Sequence, residues 1–388
     1  MADGPTGFGA GEYRRRWSAL QARMRAAGED ALLLTGPADV FYVTGFLTRF
    51  WESPARPWFI VLPAKGDPVA VIPEIGAHLM GQCHVGEVRT WPAPDPVDDG
   101  IGLLTETLSA LVPERGRIGV PMGLETSLRM PLADYRRLTA ALAPRAFTDA
   151  TDTVQRVREI KSELEVSAIR ETCTLAARAF DAVPALVAAE RKLDAIFRGF
   201  QGALLDAGAD WVSYTAGGAG PGGYGDVISP ALPVPVRRGD VLMLDTGAVK
   251  NGYFCDFDRN FSIGPPDDDT RRAQAALYEA TEVALNRLRP GMTARDAQRL
   301  LTCALSERGA TPGGGRLGHG LGITLTEWPS FTDRDNTELR ENMVLTLEPS
   351  VEIAPGRILV HEEDIVLRAD GPELLTERAP FELPEIEI

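Results

Sequence analysis

The fold of this protein is decided by residues 239–261, which read GDVLMLDTGAVKNGYFCDFDRNF. Two apolar runs flank an Asn-Gly pair at positions 251–252, a strong signal for a two-residue β-hairpin turn. That turn places Asp245 opposite Asp258 and diagonal to Asp256, whereas a turn shifted by one residue pairs Asp245 with Asp256 directly. In either register two carboxylates lie on one face of an apolar sheet. A cation is their natural compensator, because unpaired buried negative charges are very unfavourable.

Three further residues complete a candidate metal site. His319 lies in GGGRLGHGLGI, where glycines on both sides let the backbone approach a ligand. Glu348 ends the apolar run MVLTLEPS, and Glu362 follows in ILVHEEDIVL. On paired strands both glutamates can face the pocket of the two aspartates, and four carboxylates with one imidazole neutralise two divalent cations. Hard oxygen ligands select ions such as Mn, Fe, Co or Zn, and two such ions activate water and polarise a carbonyl oxygen in aminopeptidases.

Each of these elements has an ordinary structural explanation when it is taken alone. An aspartate at a strand end can cap a turn, His319 can bond loop backbone, and Glu362 can belong to a charged surface run. The order Asp, Asp, His, Glu, Glu, with a glycine-flanked histidine between two carboxylate pairs, favours the metal site over these alternatives.

Composition excludes several other classes of protein. The chain has 388 residues, 40 Lys+Arg against 55 Asp+Glu and a net charge of −15, which disfavours a nucleic-acid partner. The cysteines form no CxxC pair and indicate a reducing compartment rather than a disulfide framework or a zinc ribbon. The N-terminal residues show no apolar leader, and no run of about 18 apolar residues occurs. We therefore expect a cytoplasmic protein with no membrane partner.

The pattern of elements divides the chain into residues 1–154 and 155–388. The first block alternates helices and strands, as in an α/β domain. Helices are predicted near 11–27, 99–112 and 131–143, and strands at 31–36, 39–46, 58–63, 68–74 and 117–122.

The second block segregates its helices and strands, as in an α+β domain. Helices are predicted at 154–189, 190–208, 270–288 and 293–308, and strands at 241–249, 253–263, 343–353 and 358–367. Two similar successions of helices and paired strands allow a pseudo-twofold domain. The glycine-rich residues 215–225 lack the Lys-Ser/Thr of a phosphate loop and are predicted as a loop at the substrate wall.

Several segments carry a family resemblance, namely VREIKSELEVSAIR, RPGMTARD, LDTGA, CDFDRNF, GHGLG, LEPS and HEED. They are similar to the pita-bread metallopeptidases, which include methionine aminopeptidase, aminopeptidase P, prolidase and creatinase. The resemblance implies a pita-bread catalytic domain with pseudo-twofold halves, preceded by a smaller α/β creatinase-like N-terminal domain. It also implies a homodimer, the usual form of the aminopeptidase P, prolidase and creatinase branch.

The resemblance further implies roles for the candidate ligands. Two divalent metal ions, with Mn expected and Zn, Co or Fe as alternatives, are bound by the equivalents of Asp245, Asp256, His319, Glu348 and Glu362. Asp256 and Glu362 bridge the two ions, and Glu348 is also the general base toward water. Asp258 stands where the family commonly has Thr. It either adds negative charge near the metals or is a surface charge, solvated or paired with Arg259.

Three positions depart from the pattern of Xaa-Pro peptidases. The histidine that follows the metal-binding one by seven residues is replaced by Thr326, in TLTEWPS, which removes a general acid and a positive charge but keeps a hydrogen-bond donor. An upstream histidine falls at Asp226 or Val227, and an arginine falls at Val360. We therefore predict Thr326 as a catalytic residue together with Glu348, and Asp226 as a substrate-binding residue.

An aromatic segment of the first block, GFLTRFWESPARPWF at 45–59, supplies further candidates. Phe50 and Trp51 could cage a cation or pack on a proline ring, and Arg49 could clamp a substrate carboxylate. Trp328, close to Thr326 in the sequence, could form another wall. Alternatively, these aromatic residues belong to a dimer interface or to the core.

These observations predict a dinuclear metal-dependent hydrolase that cleaves a C–N bond in a small peptide, as an Xaa-Pro aminopeptidase or dipeptidase does. The altered peptide-handling residues leave open a small-molecule amide or amidine hydrolase, or a lyase of a small zwitterion, on the same fold, as in creatinase-like and ectoine-hydrolase-like relatives. A third possibility is a non-catalytic interaction module, since fold does not fix function. The complete ligand set argues against that third possibility.

Overall fold

Two compact units make up the protein, Met1–Arg158 and Glu159–Ile388. The structure is a computed structural model, and the residues that it describes are 7–51, 56–189 and 192–388. The N-terminal six residues, four residues of the aromatic segment and the first two of the helix predicted at 190–208 lie outside these ranges. The domain boundary predicted after residue 154 stays a prediction.

The first unit contains a mixed sheet and its helices. Its strands are β1 (Ala31–Leu34), β2 (Phe59–Pro63), β3 (Val69–Pro73), β4 (Glu87–Trp91), β5 (Arg117–Val120) and β6 (Ala146–Asp149). Its helices are α1 (Ala10–Ala27), α2 (Pro37–Thr44), α3 (Ala77–Met80), α4 (Ile101–Leu111), α5 (Leu132–Ala141) and α6 (Thr151–Arg158). The strand order is β4-β3-β2-β1-β5-β6, with β2 antiparallel to both neighbours and the other pairs parallel. The α/β organisation predicted for this block is confirmed.

The predicted strand at 39–46 is wrong, because α2 occupies this part of the chain. Pro37 stands in the first turn of the helix, and Gly45 ends it with a left-handed φ of 78°. Val40 and Phe41 are buried, as are the residues that follow them in the helix. A short apolar run that is buried on every side has no period that separates a strand from a helix.

The second unit combines helices with two larger sheets and a two-stranded sheet. Its helices are α7 (Glu163–Asp181), α8 (Val183–Ala189), α9 (Leu193–Asp206), α10 (Asp268–Arg287) and α11 (Ala294–Glu307). Its strands are β7 (Trp211–Pro221), β8 (Asp240–Lys250), β9 (Tyr253–Phe254), β10 (Phe257–Ile263), β11 (His319–Gly320), β12 (Glu327–Ser330), β13 (Val344–Leu347), β14 (Ser350–Ala354), β15 (Arg357–Val360), β16 (Glu363–Arg368), β17 (Gly371–Leu374) and β18 (Glu385–Ile386). The two larger sheets are antiparallel except for the parallel pair of β10 and β18, and β14 and β15 form the two-stranded antiparallel sheet. Among the described residues, no helix is both long and apolar enough to cross a membrane.

The same order of elements occurs twice in the second unit. Helices α7 and α9 precede the sheet β18-β10-β8-β7, and helices α10 and α11 precede the sheet β12-β11-β13-β16-β17. The predicted α+β domain with two similar halves is confirmed. Each half contributes one antiparallel strand pair to the site described below, namely β8 with β10 and β13 with β16.

The single helical stretch predicted at 154–189 is interrupted. Helix α6 ends at Arg158, and α7 begins after Ser162, whose hydroxyl accepts from the Glu165 amide while the Glu165 carboxylate accepts from the Ser162 amide. This reciprocal capping box starts a new helix. The Ser-x-x-Glu spacing of this box is present in the sequence, but the apolar period continues through it and so predicted a single helical stretch.

The hairpin register left open by the sequence is the one with a two-residue turn. Asp245 pairs with Asp258, and β9 continues the same register toward the turn. Asn251 and Gly252 have φ values of 51° and 82°, as a type I′ turn requires. Asp245 and Asp258 therefore lie on the same face of the sheet.

The loop predicted at 215–225 is wrong for most of its length, because β7 runs to Pro221 and pairs with β8. A Cβ added to Gly217 would lie 2.2 Å from the Met243 carbonyl oxygen. Glycine here permits close pairing of two backbones rather than a turn, and sequence composition alone does not separate these two uses.

A buried ion cluster lies behind β10 and β16. Glu363, fully buried, accepts from Arg259 Nη2 at 3.1 Å, from Arg378 Nη1 at 3.0 Å and from the Ala379 amide at 2.8 Å. Burial opposes its ionisation, but the Arg259 guanidinium and these hydrogen bonds hold the pKa of Glu363 well below its usual range. His361 is buried in the same cluster, 2.5 Å from Arg378, and burial lowers its pKa.

Replacing Glu363 is expected to destabilise the protein strongly. Glu363→Gln leaves two arginines without their buried counter-charge, which costs about 3–5 kcal/mol. Glu373→Gln is the matched control, because Glu373 also accepts from two arginines but its side chain is 44% exposed, so about 0–1 kcal/mol is expected. Urea unfolding of the metal-free variants measures both values, and equal losses would contradict the structural role of the cluster.

Candidate metal centre

The first part of the site comes from the hairpin. Asp245 lies within β8, and Asp256 immediately precedes β10; both are at most 8% exposed. The Tyr214 hydroxyl, from β7, donates to Asp245 Oδ1 at 3.0 Å and makes a shorter bond to Asp256 Oδ1. Sequence reasoning missed Tyr214 because β7 was predicted largely as a loop. A prediction that β7 pairs with β8 would have brought Tyr214 to this face.

The second part comes from the other half of the unit. Leu347 pairs with Glu363 across β13 and β16, so Glu348 and Glu362 flank this pair at one end of the two strands. His319, on β11, is 1% exposed, and its Nε2 lies 2.8 Å from Glu348 Oε1 and 3.1 Å from Asp256 Oδ2.

The glycines around His319 are required by close backbone contacts. A Cβ on Gly318 would lie 2.2 Å from the Thr346 carbonyl oxygen, and one on Gly320 would lie 2.1 Å from the Trp328 carbonyl oxygen. His319 Nδ1 lies 2.8 Å from the Gly320 carbonyl oxygen. Since a carbonyl only accepts, Nδ1 carries a proton, and Nε2 is the nitrogen that faces the carboxylates.

The structure brings together all five of the predicted ligands. Ligand atoms of Asp256, His319 and Glu348 lie within 4.8 Å of one another, and the same holds for Asp245, Asp256 and Glu362. Asp256 belongs to both groups. Two adjacent groups that share one carboxylate are an arrangement that can hold two cations close together.

The electrostatics of the site favour binding of cations. Burial and the neighbouring carboxylates raise the pKa of Asp245 and of Glu362 well above their usual range, and burial raises the pKa of Asp256. Burial also opposes ionisation of Glu348, but the His319 imidazolium outweighs it and lowers the pKa of Glu348. Against the same effect of burial, Glu348 and Asp256 raise the pKa of His319 to about 10. Divalent cations fit this oxygen-rich donor set.

Neighbouring groups fix the orientation of the ligands. The Asp258 carboxylate, 1% exposed, accepts from the Glu362 amide at 2.7 Å and from Asn260 Nδ2 at 2.8 Å, so it is not a surface charge. Burial raises the pKa of Asp258 to about 8. Asp364 accepts from the Asp256 amide at 3.0 Å. Contacts of this kind orient ligands in metal sites.

Thr326 lies at the rim of the site, beside an arginine that sequence reasoning did not single out. Arg316 Nη2 donates to Thr326 Oγ1 at 3.1 Å, and Arg316 Nε lies 4.0 Å from Glu348 Oε2. The loop before Thr326 is held by Glu327, which accepts from the Ile323 amide at 3.1 Å and is paired with buried Lys161 at 2.9 Å.

The other predicted substrate residues occupy different places. The Asp226 carboxylate accepts from the Ile228 and Ser229 amides of its own loop at 2.9 and 2.7 Å, and Trp328 lies on β12, next to β11. Neither is a member of the ligand groups, and their roles stay predictions.

The predicted residues of the aromatic segment belong to the first unit. The Trp51 ring packs 5.8 Å from that of Trp58, and the Arg129 guanidinium lies 5.3 Å from the Trp51 ring centre. Phe50 is 49% exposed. Roles of Arg49, Phe50 and Trp51 in substrate binding stay predictions.

Known families match both units. The model of metallopeptidase family M24 matches residues 167–369, and that of the creatinase/prolidase N-terminal domain matches residues 16–160. The chain belongs to metallopeptidase family M24. Proteins of the M24 family are metal-dependent hydrolases with a dinuclear centre, so the predicted family, fold class and enzyme class are confirmed.

Relatives within the M24 family carry peptidase names. The probable dipeptidase PepE of Mycobacterium tuberculosis is 29% identical over 380 residues, which are 97% of this chain and 97% of the relative. The crystal structure of dipeptidase PepE from Mycobacterium ulcerans has a TM-score of 0.84 and 26% identity, covering 98% of this chain and 100% of that one. The X-Pro aminopeptidase from Thermotoga maritima has a TM-score of 0.79 and 25% identity, covering 94% and 100%.

Replacement of the shared ligand is expected to remove both metal ions. Asp256→Asn removes a ligand from each group, whereas His319→Ala removes a ligand from one group and should leave one ion. Asp226→Asn, which alters an exposed carboxylate outside both groups, is the control and should keep two. Elemental analysis after dialysis against Mn²⁺ gives the ions per chain, and full occupancy in Asp256→Asn would contradict the assignment.

The metal-free protein is expected to lose stability as the pH rises. The pKa of Asp258 is raised to about 8 and that of His319 to about 10, so the folded chain binds these protons more tightly than the unfolded chain does. Stability therefore falls as the pH rises from about 4 to about 10, first through the raised pKa of Asp258 and then through that of His319. The lowered pKa of Glu348 affects stability only at acidic pH, where its stabilising contribution is lost as the pH falls.

Bound metal should reverse this trend, because metal binding competes with protons for the carboxylates. Urea unfolding across this pH range, in EDTA and in excess Mn²⁺, measures both slopes. Asp258→Asn should flatten the metal-free slope. Stability of the metal-free protein that increases with pH would contradict the electrostatic description.

Proposed function

We propose that this protein is a dinuclear metallopeptidase that releases the N-terminal residue of Xaa-Pro dipeptides or short peptides. The observation that carries the proposal is the pair of ligand groups that share Asp256. The peptidase names of relatives that match nearly the whole chain support it. A non-catalytic binding module would not need a buried cluster of carboxylates, because burial makes their ionisation unfavourable.

The residues of the site have distinct tasks in this proposal. When bound, the metal ions polarise the scissile carbonyl and activate water. Glu348 is oriented by the Thr346 hydroxyl, which donates to its Oε1 at 2.6 Å. Glu348 accepts the proton of the attacking water and delivers it to the leaving nitrogen. Tyr214 keeps the Asp245 and Asp256 carboxylates in place.

Thr326 takes part through its hydroxyl, at the position where Xaa-Pro peptidases carry a histidine. Asp226, Trp328 and the aromatic segment of the first unit are proposed to contact the substrate. Manganese as the preferred metal, a homodimer and a cytoplasmic location also belong to this proposal.

Metal-dependent release of N-terminal residues is the expected activity. Mn-loaded protein is incubated with Xaa-Pro dipeptides and Xaa-Pro-Xaa tripeptides, and mass spectrometry quantifies the released residue. EDTA-treated protein and the Asp256→Ala variant are the controls, and both should lose at least about 100-fold in rate, since each lacks the metal chemistry.

No release by protein that carries two metal ions per chain would overturn the peptidase proposal. Small amides and zwitterions would then be the substrates to test, in line with the altered position of Thr326.

A further inference from the structure

We infer that Arg316 binds the C-terminal carboxylate of the substrate and thereby selects dipeptides over longer or C-terminally blocked peptides. This inference rests on the proposed peptidase function and specifies its substrate class. It is carried by the position, exposure and free donor capacity of Arg316 beside Glu348.

Arg316 lies at the edge of the ligand cluster, between Glu348 and Thr326. Its Nε is 4.0 Å from Glu348 Oε2, and its Nη2 is anchored on Thr326 Oγ1 at 3.1 Å. The side chain is still 37% exposed. A guanidinium has five N–H donors, so the described contacts leave most of its fork available to a ligand.

The other basic residues described near the cluster are engaged in structural contacts. Arg259, whose side chain is 11% exposed, donates to the Asp258 and Glu362 carbonyl oxygens at 2.6 and 3.0 Å and to Glu363. Lys161, 2% exposed, is paired with Glu327. Arg316 therefore differs from both in exposure and in unused donors.

With two divalent ions bound, the site has little net charge, so a substrate carboxylate needs a separate cation to bind it. The carboxylates of Asp245, Asp256, Glu348 and Glu362 balance two divalent ions, so the metal cluster itself offers little net attraction to a substrate anion. A guanidinium fork binds a carboxylate through two parallel hydrogen bonds. Arg316 supplies this fork.

The distance between Arg316 and Glu348 fits a dipeptide better than a longer substrate. One residue of extended chain spans at most about 3.6 Å, so the carboxylate of a dipeptide lies one short step beyond the scissile carbonyl. The guanidinium of Arg316 begins 4.0 Å from Glu348, the residue that serves the scissile bond. In a tripeptide or an amidated dipeptide, a neutral carbonyl occupies this place, and its hydrogen bond to Arg316 is weaker.

The test compares a dipeptide acid with its C-terminal amide. The ratio of kcat/KM for Ala-Pro to that for Ala-Pro amide is measured for the Mn-loaded protein and its variants. We expect wild type to prefer the acid and Arg316→Gln, which keeps a donor but loses the charge, to lower this ratio about 10- to 100-fold. Arg316→Lys should restore part of the ratio.

Three further variants separate the effect of the Arg316 anchor from general effects on the enzyme. Arg198→Ala, at a 75% exposed arginine of α9, should leave the ratio unchanged. Thr326→Val removes the acceptor that positions Arg316 and should lower the ratio by several-fold, whereas Thr326→Ser should not. Metal content is determined for every variant, so that a lost metal ion is not mistaken for a lost anchor.

Calorimetry tests the inference without turnover. The probe is a reduced dipeptide in which CH2–N replaces the scissile amide, offered as the acid and as the C-terminal amide. Wild type should bind the acid more tightly, and Arg316→Gln should lose most of this preference. Equal affinities of wild type for the two probes, or a preference that Arg316→Gln retains, would overturn the inference.

The same calorimetric comparison keeps the two proposals distinguishable. If the wild type hydrolyses neither Ala-Pro nor its amide, the peptidase proposal fails. A preference for the acid probe that depends on Arg316 would still support a carboxylate anchor, and its absence would reject it.

Discussion

Four carboxylates, those of Asp245, Asp256, Glu348 and Glu362, surround one imidazole in the interior of the second unit. Burial and mutual repulsion raise the pKa of Asp245 and of Glu362 well above their usual range, and His319 offsets only part of the negative charge. The architecture of the unit concentrates these carboxylates in spite of the unfavourable free energy of burying negative charge. Strands of two separate sheets meet at one place, and the predicted ligands come from positions as far apart in the sequence as Asp245 and Glu362. A fold without bound cations would gain nothing from such an arrangement.

Ordered hydrogen bonds keep the carboxylates in place. Asp258 accepts from the backbone amide of Glu362, and Asp364 accepts from that of Asp256, so each half of the unit fixes a predicted ligand contributed by the other. Tyr214 bonds both hairpin aspartates. The Glu363 cluster with Arg259 and Arg378 lies behind the same strands. The two halves are thus joined by polar contacts as well as by apolar packing.

The basic residues near the site fall into two groups for a physical reason. Lys161 is buried and Arg259 is mostly so, where an unpaired cation is costly, and their donors are therefore used by carboxylates and carbonyls. Arg316 lies at the rim, where water replaces missing partners and free donors cost little. Only a residue in that position can exchange solvent for a ligand, which is the physical basis for assigning it a role in recognition.

The sequence by itself determined the hairpin, the α+β class of the second unit and the family, and it predicted the five residues that the structure brings together, because period-two alternation, an Asn-Gly turn and glycines around His319 are local features. Only the tertiary structure decided what depended on distant partners. Residues 37–44 form a helix, which the sequence did not reveal because the buried run 40–44 has no period that separates a helix from a strand. Residues 215–221 form a strand because β8 is there to pair with them. The contacts of Tyr214 with the aspartates, of Asp258 with Glu362 and of Arg316 with Thr326 join separate segments, and no local pattern encodes them.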